Sequence, residues 1–361
     1  MDRHPIEVLM DKGAEKKWPV MLHFDLTYKC NQRCIHCYVV RQNRGELSSS
    51  EIKQTLIELA NAKSFLLTLS GGEIFVRDDI FDIISTASKL NFRTVILSNG
   101  TLITPGIAKL LKKFNIAEVH ISIYSTAPEQ HDKITRTKDS FKKTLRGIDL
   151  LLEQGIRVVI KTQLMKQTFD EYRRIKLFAD KLGADYLFGP TIFPKMDFDK
   201  KATYLSPTIH QIEKLYLDMG NFALKGDLEE VKKRAEKFII SESNLSRPLC
   251  GAGWNRCYIS PYGDVFPCNS LLIPIGNLRQ NNFREIWDNS PLLGYIRNID
   301  LKMMVECLHC MFLPYCNPCP GVGYQGTGNL FKPYKLHCRV TKAKFKAIKK
   351  TYYSRKEVVK Q

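Results

Sequence analysis

No run of consecutive apolar residues in this chain approaches the ~18 that a membrane-crossing helix needs, so no span of that kind is expected. The N-terminus, Met1-Asp-Arg-His-Pro-Ile-Glu, has no apolar h-region of a secretory signal, which puts the protein in the cytoplasm. No repeat longer than a β/α unit and no low-complexity tract is present, which sets aside solenoids and disordered arms. Acidic residues are in short supply: 37 Asp and Glu face 55 Lys and Arg, for a net charge of +18. Nucleic acid, an anionic substrate or an acidic partner protein would each answer such a charge. No RNA-recognition signature and no interleaving of aromatic with basic residues accompanies it. Much of the excess lies in 342–360, which reads as a basic helix and tail. Nucleic acid is therefore not the expected partner.

Cysteine is plentiful, 11 in 361 residues. In a reducing compartment, crowded Cys-x2-Cys pairs read as metal or cluster ligands rather than disulfides, and an odd count sits badly with a disulfide framework. Three thiols fall in one short stretch, Cys30-Asn-Gln-Arg-Cys34-Ile-His-Cys37, with Tyr38 behind it and the apolar run 20–26 ahead. Three thiolates from one loop suit three irons of a cubane and leave the fourth iron for an exogenous ligand. The same open-position logic separates catalytic from structural zinc.

The other eight cysteines are Cys250, Cys257, Cys268, Cys307, Cys310, Cys316, Cys319 and Cys338. They suffice for two closed four-thiolate clusters. A Pro-Tyr-Gly-Asp turn at 261–264 folds a hairpin that brings Cys257 near Cys268. The pairs Cys307/Cys310 and Cys316/Cys319 also fit one zinc site. However, the gap between those pairs is short of the usual ~12–20 residues, and four cysteines would be left over.

From residue 19 onward, strand-like and helix-like runs alternate. Strands are expected at 20–26, 65–70, 93–98, 117–123, 157–163 and 185–190, and helices at 50–62, 78–89, 104–113, 138–154 and 169–182. Serines 48–50 ahead of Glu51 offer an N-cap to the first helix, and Gly155 closes the fourth. Such β/α units make a parallel sheet with right-handed crossovers, an α/β fold with its chemistry at the C-terminal ends of the strands. The 30–38 loop follows the first strand, at that end.

Ser70-Gly71-Gly72-Glu73 follows the second strand. The glycines let a ligand approach the backbone, and Glu73 can accept from an ammonium group. Ser98-Asn99-Gly100 ends the third strand as an Asn-Gly turn. The fourth carries Ser122 and leads through His131-Asp132 to Arg136, whose guanidinium fork suits a carboxylate. Strand five offers an apolar wall, and 191–199 reads as a loop on the same face. Residues 207–240 read as one or two amphipathic helices.

In combination these motifs resemble the radical S-adenosylmethionine (radical SAM) enzymes. In that family a Cys-x3-Cys-x2-Cys-aromatic loop follows the first strand of a partial (β/α)6 TIM-like barrel. The resemblance implies a 4Fe-4S cluster on Cys30, Cys34 and Cys37, with SAM on its open iron beside Tyr38. It implies that Gly71, Gly72 and Glu73 hold the SAM amino group. Ser98 and Asn99 match the family's Thr-Asn-Gly turn, with serine in place of threonine. Ser122 would meet the ribose and Arg136 the carboxylate.

The C-terminal array resembles the SPASM extension, a cysteine-rich α+β domain with two auxiliary 4Fe-4S clusters, found on radical SAM enzymes that modify peptides and proteins. Carried over, Cys250, Cys257, Cys268 and Cys319 hold one cluster, and Cys307, Cys310, Cys316 and Cys338 the other. Asn317-Pro318 leaves two residues before Cys319 where the family usually has three. The implied layout is a lead-in at 1–18, a radical SAM core at 19–206, a helical linker at 207–245, a SPASM domain at 246–345 and a basic tail at 346–361.

The implied activity is reductive cleavage of SAM to a 5′-deoxyadenosyl radical that crosslinks, epimerises or oxidises a peptide or protein. Asn269 follows Cys268 where anaerobic sulfatase-maturing relatives carry an aspartate base, and an amide cannot fill that role. The lead-in is too short for a peptide-recognition domain, so a separate leader-peptide-binding protein is expected. An acidic flavodoxin or ferredoxin would dock on the basic surface as reductant. Two further readings stand: a radical SAM enzyme acting on RNA or a cofactor precursor, and a non-enzymatic iron–sulfur or zinc protein. Cys34→Ala is expected to abolish 5′-deoxyadenosine release and one cluster's share of iron and sulfide. A purified wild type holding only zinc would contradict this.

Overall fold

The computed structural model describes residues 4–353, apart from 220–224, 239–240, 242–244 and 247. Six parallel strands carry the first half: β1 (Met21–Thr27), β2 (Leu66–Gly71), β3 (Arg93–Ser98), β4 (Glu118–Ser122), β5 (Val158–Gln163) and β6 (Asp185–Gly189). They neighbour one another in chain order, an open sheet as a partial barrel requires. Helices Ser49–Asn61, Ile80–Lys89, Pro105–Lys113, Ser140–Glu153 and Glu171–Leu182 return the chain between them. Every one of these elements begins and ends within two residues of its expected bounds.

Local chemistry accounts for the limits. Ser48 and Glu51 form a reciprocal capping box at the start of Ser49–Asn61. Gly155, at φ 64°, takes the left-handed conformation that stops Ser140–Glu153. On β1, Leu22, Phe24 and Leu26 are fully buried in the same core as Ile52, Leu56 and Leu59 of the first of these helices. Burying each such side chain stabilises by about 1.5–3 kcal/mol. The alternate residue His23 opens instead on a cavity inside the sheet's curve.

Three features depart from expectation. The lead-in is a helix, α1 (Pro5–Lys16), started by Pro5 and by His4 Nδ1 accepting from Ile6 N–H at 3.2 Å. A short helix, Pro128–Thr135, follows β4. The C-terminal hairpin, β7 (Arg256–Ile259) and β8 (Asp264–Phe266), turns at 261–263 as the sequence indicates. Its first strand, however, pairs in parallel with β1, Leu22 opposite Cys257 and His23 opposite Tyr258. With β9 (Gly276–Asn277) the result is one nine-stranded sheet, β6-β5-β4-β3-β2-β1-β7-β8-β9.

Helices Ile209–Met219 and Lys225–Glu236 occupy the stretch read as a linker. Helix Lys335–Ile348 runs straight through the boundary drawn at 345 and continues as a π-helical turn, Lys349–Tyr353. Its Ala343, Ala347 and Ile348 are buried with Ile212, Leu215 and Tyr216. The basic stretch therefore has an apolar face packed on the linker helix, while 354–361 lie outside the described residues. No described helix is long and apolar enough to cross a membrane.

Helix Ser140–Glu153 presses on the β3 turn, and a Cβ on Gly147 would stand 2.3 Å from the Gly100 carbonyl oxygen. In an open helix, Gly→Ala would gain about 1 kcal/mol from helix propensity. Here Gly147→Ala is expected to destabilise by about 1–3 kcal/mol through overpacking. A lower urea midpoint would show it; a rise would overturn it.

Candidate active site

The C-terminal ends of the strands open into a cavity of about 1090 Å³ whose wall includes Cys30, Cys34, Cys37 and Tyr38. The cysteine loop is held there by its neighbours. Arg33 and Ile35 N–H donate to the carbonyls of Thr135 and Ile134, at 3.1 and 3.0 Å. Arg41 donates to the carbonyls of Tyr28 and Cys30, at 3.0 and 3.2 Å. Glu46 accepts from Tyr28 N–H at 2.7 Å and from the Thr27 hydroxyl. Met196 N–H donates to the Tyr38 carbonyl at 3.0 Å, tying in the loop after β6.

Gly71 and Gly72 are required by backbone proximity. A Cβ on Gly71 would lie 2.1 Å from the Thr27 oxygen, and one on Gly72 would lie 2.2 Å from the Lys29 oxygen. Gly72 N–H donates to that Thr27 carbonyl at 2.7 Å. Both glycines line the cavity.

Glu73 differs from the sequence expectation. Its side chain is fully buried and is not on the cavity wall. Its oxygens accept from Asn99 N–H at 2.7 Å, the Ser98 hydroxyl at 2.9 Å and Phe75 N–H at 3.3 Å. Glu73 thus clamps the β2 turn to the β3 turn, while Ser70, Gly71 and Gly72 face the cavity. Asn99 in turn donates to Asn31 Oδ1 at 2.8 Å, so the clamp reaches the cysteine loop. Asn31 carried no signal in the sequence, because its role depends on a partner 68 residues away.

Ser122 and Arg136 both reach the cavity. The His131-Asp132 pair ahead of Arg136 works inside the protein. Asp132 accepts from Asp139 N–H, the Ser140 hydroxyl and Phe141 N–H, and His131 Nδ1 accepts from Tyr124 N–H at 3.3 Å. Sequence reasoning missed Lys161, which stands opposite Ser122 across β4 and β5 and opens on the cavity. Desolvation alone lowers its pKa. A basic residue in a strand otherwise read as an apolar wall was the available signal.

The thiols fit a cluster. Burial, then the neighbouring Cys37 and Cys30, push Cys34 up to about 12, a cost of the thiolate that a bound cationic metal would offset. Beside them, Gln32 Nε2 and His36 Nδ1 are buried without a hydrogen-bond partner among the described residues. In the C-terminal part Cys268 lies within electrostatic reach of Cys250 and Cys319, and Cys257 within reach of Cys268. Separately, Cys307 and Cys338 each sense Cys316 and Cys310. Among the described residues no three His, Cys, Asp or Glu side chains close on a single ion. Asn269, Ser270, Leu272 and Gln325 from this C-terminal part form one side of the cavity.

The radical SAM superfamily matches residues 25–179, and the SPASM iron–sulfur cluster-binding domain matches 250–311. The chain is a radical SAM enzyme with a SPASM domain. Cys316, Cys319 and Cys338 lie beyond the matched SPASM residues. The AdoMet-dependent heme synthase of Methanosarcina barkeri is 27% identical over 88% of this chain and 97% of its own. The antilisterial bacteriocin subtilosin biosynthesis protein AlbA of Bacillus subtilis is 29% identical over 87% of this chain and 68% of its own. Streptococcus suis SuiB, bound to the precursor peptide SuiA, superposes with a TM-score of 0.70 at 16% identity, over 92% of this chain and 81% of SuiB. That last likeness is one of fold.

Burial pushes the Glu73 carboxyl up to about 7 from an ordinary 4.5. The folded state then binds the extra proton, so this contribution is complete below pH 4.5 and is lost as pH rises through 7. Urea denaturation is expected to show wild-type stability falling between pH 4.5 and about 7. Glu73→Gln should flatten that slope, and equal slopes in both proteins would overturn the assignment.

Proposed function

We propose that this radical SAM enzyme is a cytoplasmic maturase that crosslinks, epimerises or oxidises a residue within a peptide or protein. The observation that carries this reading is the composite cavity. One side is the cysteine loop with the Gly71-Gly72 turn, and the other is the SPASM segment 269–272 with Gln325. At about 1090 Å³ the cavity stands at the upper end of the range for small-molecule sites and leaves room for a substrate segment beside a cofactor. The AlbA relative and the peptide-bound SuiB fold support the same substrate class.

On this reading Cys30, Cys34 and Cys37 hold the SAM-binding 4Fe-4S cluster. Cys250, Cys257, Cys268 and Cys319 hold one auxiliary cluster, and Cys307, Cys310, Cys316 and Cys338 the second. The clusters and SAM supply the radical chemistry. The chain's own residues orient and enclose. The Gly71 and Gly72 backbone approaches the SAM amino group, with Glu73 fixing that turn from behind. Ser98 and Asn99 hold the neighbouring turn, Ser122 meets the ribose, Arg136 the carboxylate, and Tyr38 flanks the site. A flavodoxin- or ferredoxin-type reductant and a separate leader-binding protein complete the system.

A second reading has its own support. Arg136, Lys161, Lys195 and Lys201 line the cavity, and Asp199 is the one carboxylate among its lining residues. An anionic substrate suits that wall, and the heme synthase relative makes a carboxylate-bearing cofactor precursor the natural candidate.

The test uses the anaerobically reduced, reconstituted protein. It should cleave SAM to 5′-deoxyadenosine and change the mass of a short peptide encoded beside its gene. A peptide left untouched while a haem precursor is converted would replace the first reading with the second. Under the second reading Lys161→Met is expected to raise the KM for the anionic substrate about ten- to a hundredfold, from the loss of a charged hydrogen bond of about 1.5–3 kcal/mol. An unchanged KM would remove Lys161 from the substrate site.

A further inference from the structure

The two auxiliary cysteine sets sit in different electrostatic surroundings. For Cys257, Cys268 and Cys319 the leading influences are burial, backbone N–H groups and neighbouring cysteine sulfurs, with no basic side chain among them. Val322 N–H, for example, donates to Cys319 Sγ at 3.5 Å, as expected of a thiol capping helix Pro320–Thr327.

The outer set is different. The Thr341 hydroxyl donates to Cys316 Sγ at 3.3 Å. Arg234, from helix Lys225–Glu236, donates through Nη1 to Asn317 Oδ1 at 2.7 Å, one residue beyond Cys316. Lys342 and Lys344 follow Thr341 on helix Lys335–Ile348, and Glu306, of opposite charge, stands next to Cys307 in the chain. Arg234 Nε is buried and has no hydrogen-bond partner among the described residues. Leaving such a donor unmet costs about 1–3 kcal/mol, more for a charged group. A cluster sulfur is the acceptor that its position beside Cys316 suits.

Resting on the assignment of both sets as cluster ligands, we propose that Arg234 and Thr341 raise the reduction potential of the outer cluster, held by Cys307, Cys310, Cys316 and Cys338, above that of its inner neighbour. Reduction adds one electron, and so one negative charge, to a cluster. A guanidinium and a hydroxyl donor at a ligand sulfur stabilise that form selectively. With clusters bound, the set Cys307, Cys310, Cys316 and Cys338 would hold the one that accepts an electron from its inner neighbour, with no bond or proton exchanged. The exposed Cys310 and Met311 put it at the protein surface. Arg234 and Thr341 are positioning residues: they act through the cluster and touch no substrate.

Anaerobic redox titration of the reconstituted full-length protein, followed by EPR, tests this, with Cys307→Ala identifying the outer cluster's signal. Thr341→Val and Arg234→Met are expected to move that midpoint to more negative potential, leaving the other two midpoints and the iron content unchanged. Thr341→Ser, which keeps the hydroxyl, should hold the wild-type value. An unmoved midpoint in the Val and Met variants with iron retained would overturn the proposal. Should Arg234→Met lose the cluster, the near-isosteric Thr341→Val decides alone. If Cys307→Ala removes no iron or sulfide, the outer thiols hold no cluster, and the underlying reading fails rather than the tuning alone.

Discussion

Strand β1 is hydrogen-bonded in parallel on both edges, and the rest of the molecule depends on that. Leu22 faces Leu67 of β2 on one side and Cys257 of β7 on the other. The cysteine loop therefore leaves β1 at a seam, with the barrel to one side and the SPASM hairpin to the other. Tyr258 locks the seam: its hydroxyl donates to Asp25 Oδ2 at 2.9 Å and meets the Tyr28 hydroxyl at 2.6 Å, all three residues being buried. The ion pairs Arg44–Asp264 and Arg279–Glu51 flank the junction but are partly exposed, at 44%/17% and 40%/37%. Pairs of that kind contribute about 0–1 kcal/mol, so strand pairing and buried contacts hold the two parts together.

From that seam the site is assembled as turns clamped to turns. The β2 turn touches the start of the cysteine loop through backbone so close that only glycine fits. Glu73 joins that turn to the one after β3, and Asn99 joins the latter to Asn31 of the loop. Helix Ser140–Glu153 backs the β3 turn, with the Thr144 hydroxyl donating to the Asn99 carbonyl at 2.8 Å. Each contact is between elements distant in sequence and close in space. The position of the thiols is thus set by the packing of four βα units rather than by the loop itself.

That also explains what the sequence made legible. The six strands and five main helices follow from local periodicity, capping serines and stop glycines, which act over a few residues. The cysteine spacing is equally local. What stayed hidden depends on tertiary partners. A strand of four residues such as β7 has no pattern of its own to say that it adds in parallel to β1. Glu73 invites an ammonium in isolation, but burial beside Ser98 and Asn99 commits its oxygens to the protein. Helix α1 opens with proline and buries only Gly13 within its span, so its polar face hid it. The stretch from Lys342 read as a basic helix and tail, and its packed face stayed hidden because buried Ala343, Ala347 and Ile348 are spaced among lysines.

The linear order of the cysteines maps onto a path through space. Asn269 is on the cavity wall, so Cys268 lies one residue from the substrate space. Cys268 is within reach of Cys319, and Cys319 within reach of Cys316, which belongs to the other set. Cys316 senses Cys310, the exposed member. Two residues, Asn317 and Pro318, separate Cys316 from Cys319, so these two thiols stay neighbours along the chain. Pro320, at the first turn of helix Pro320–Thr327, is pre-set for the helix that Cys319 caps. On the proposed cluster assignment this short link joins the two auxiliary centres.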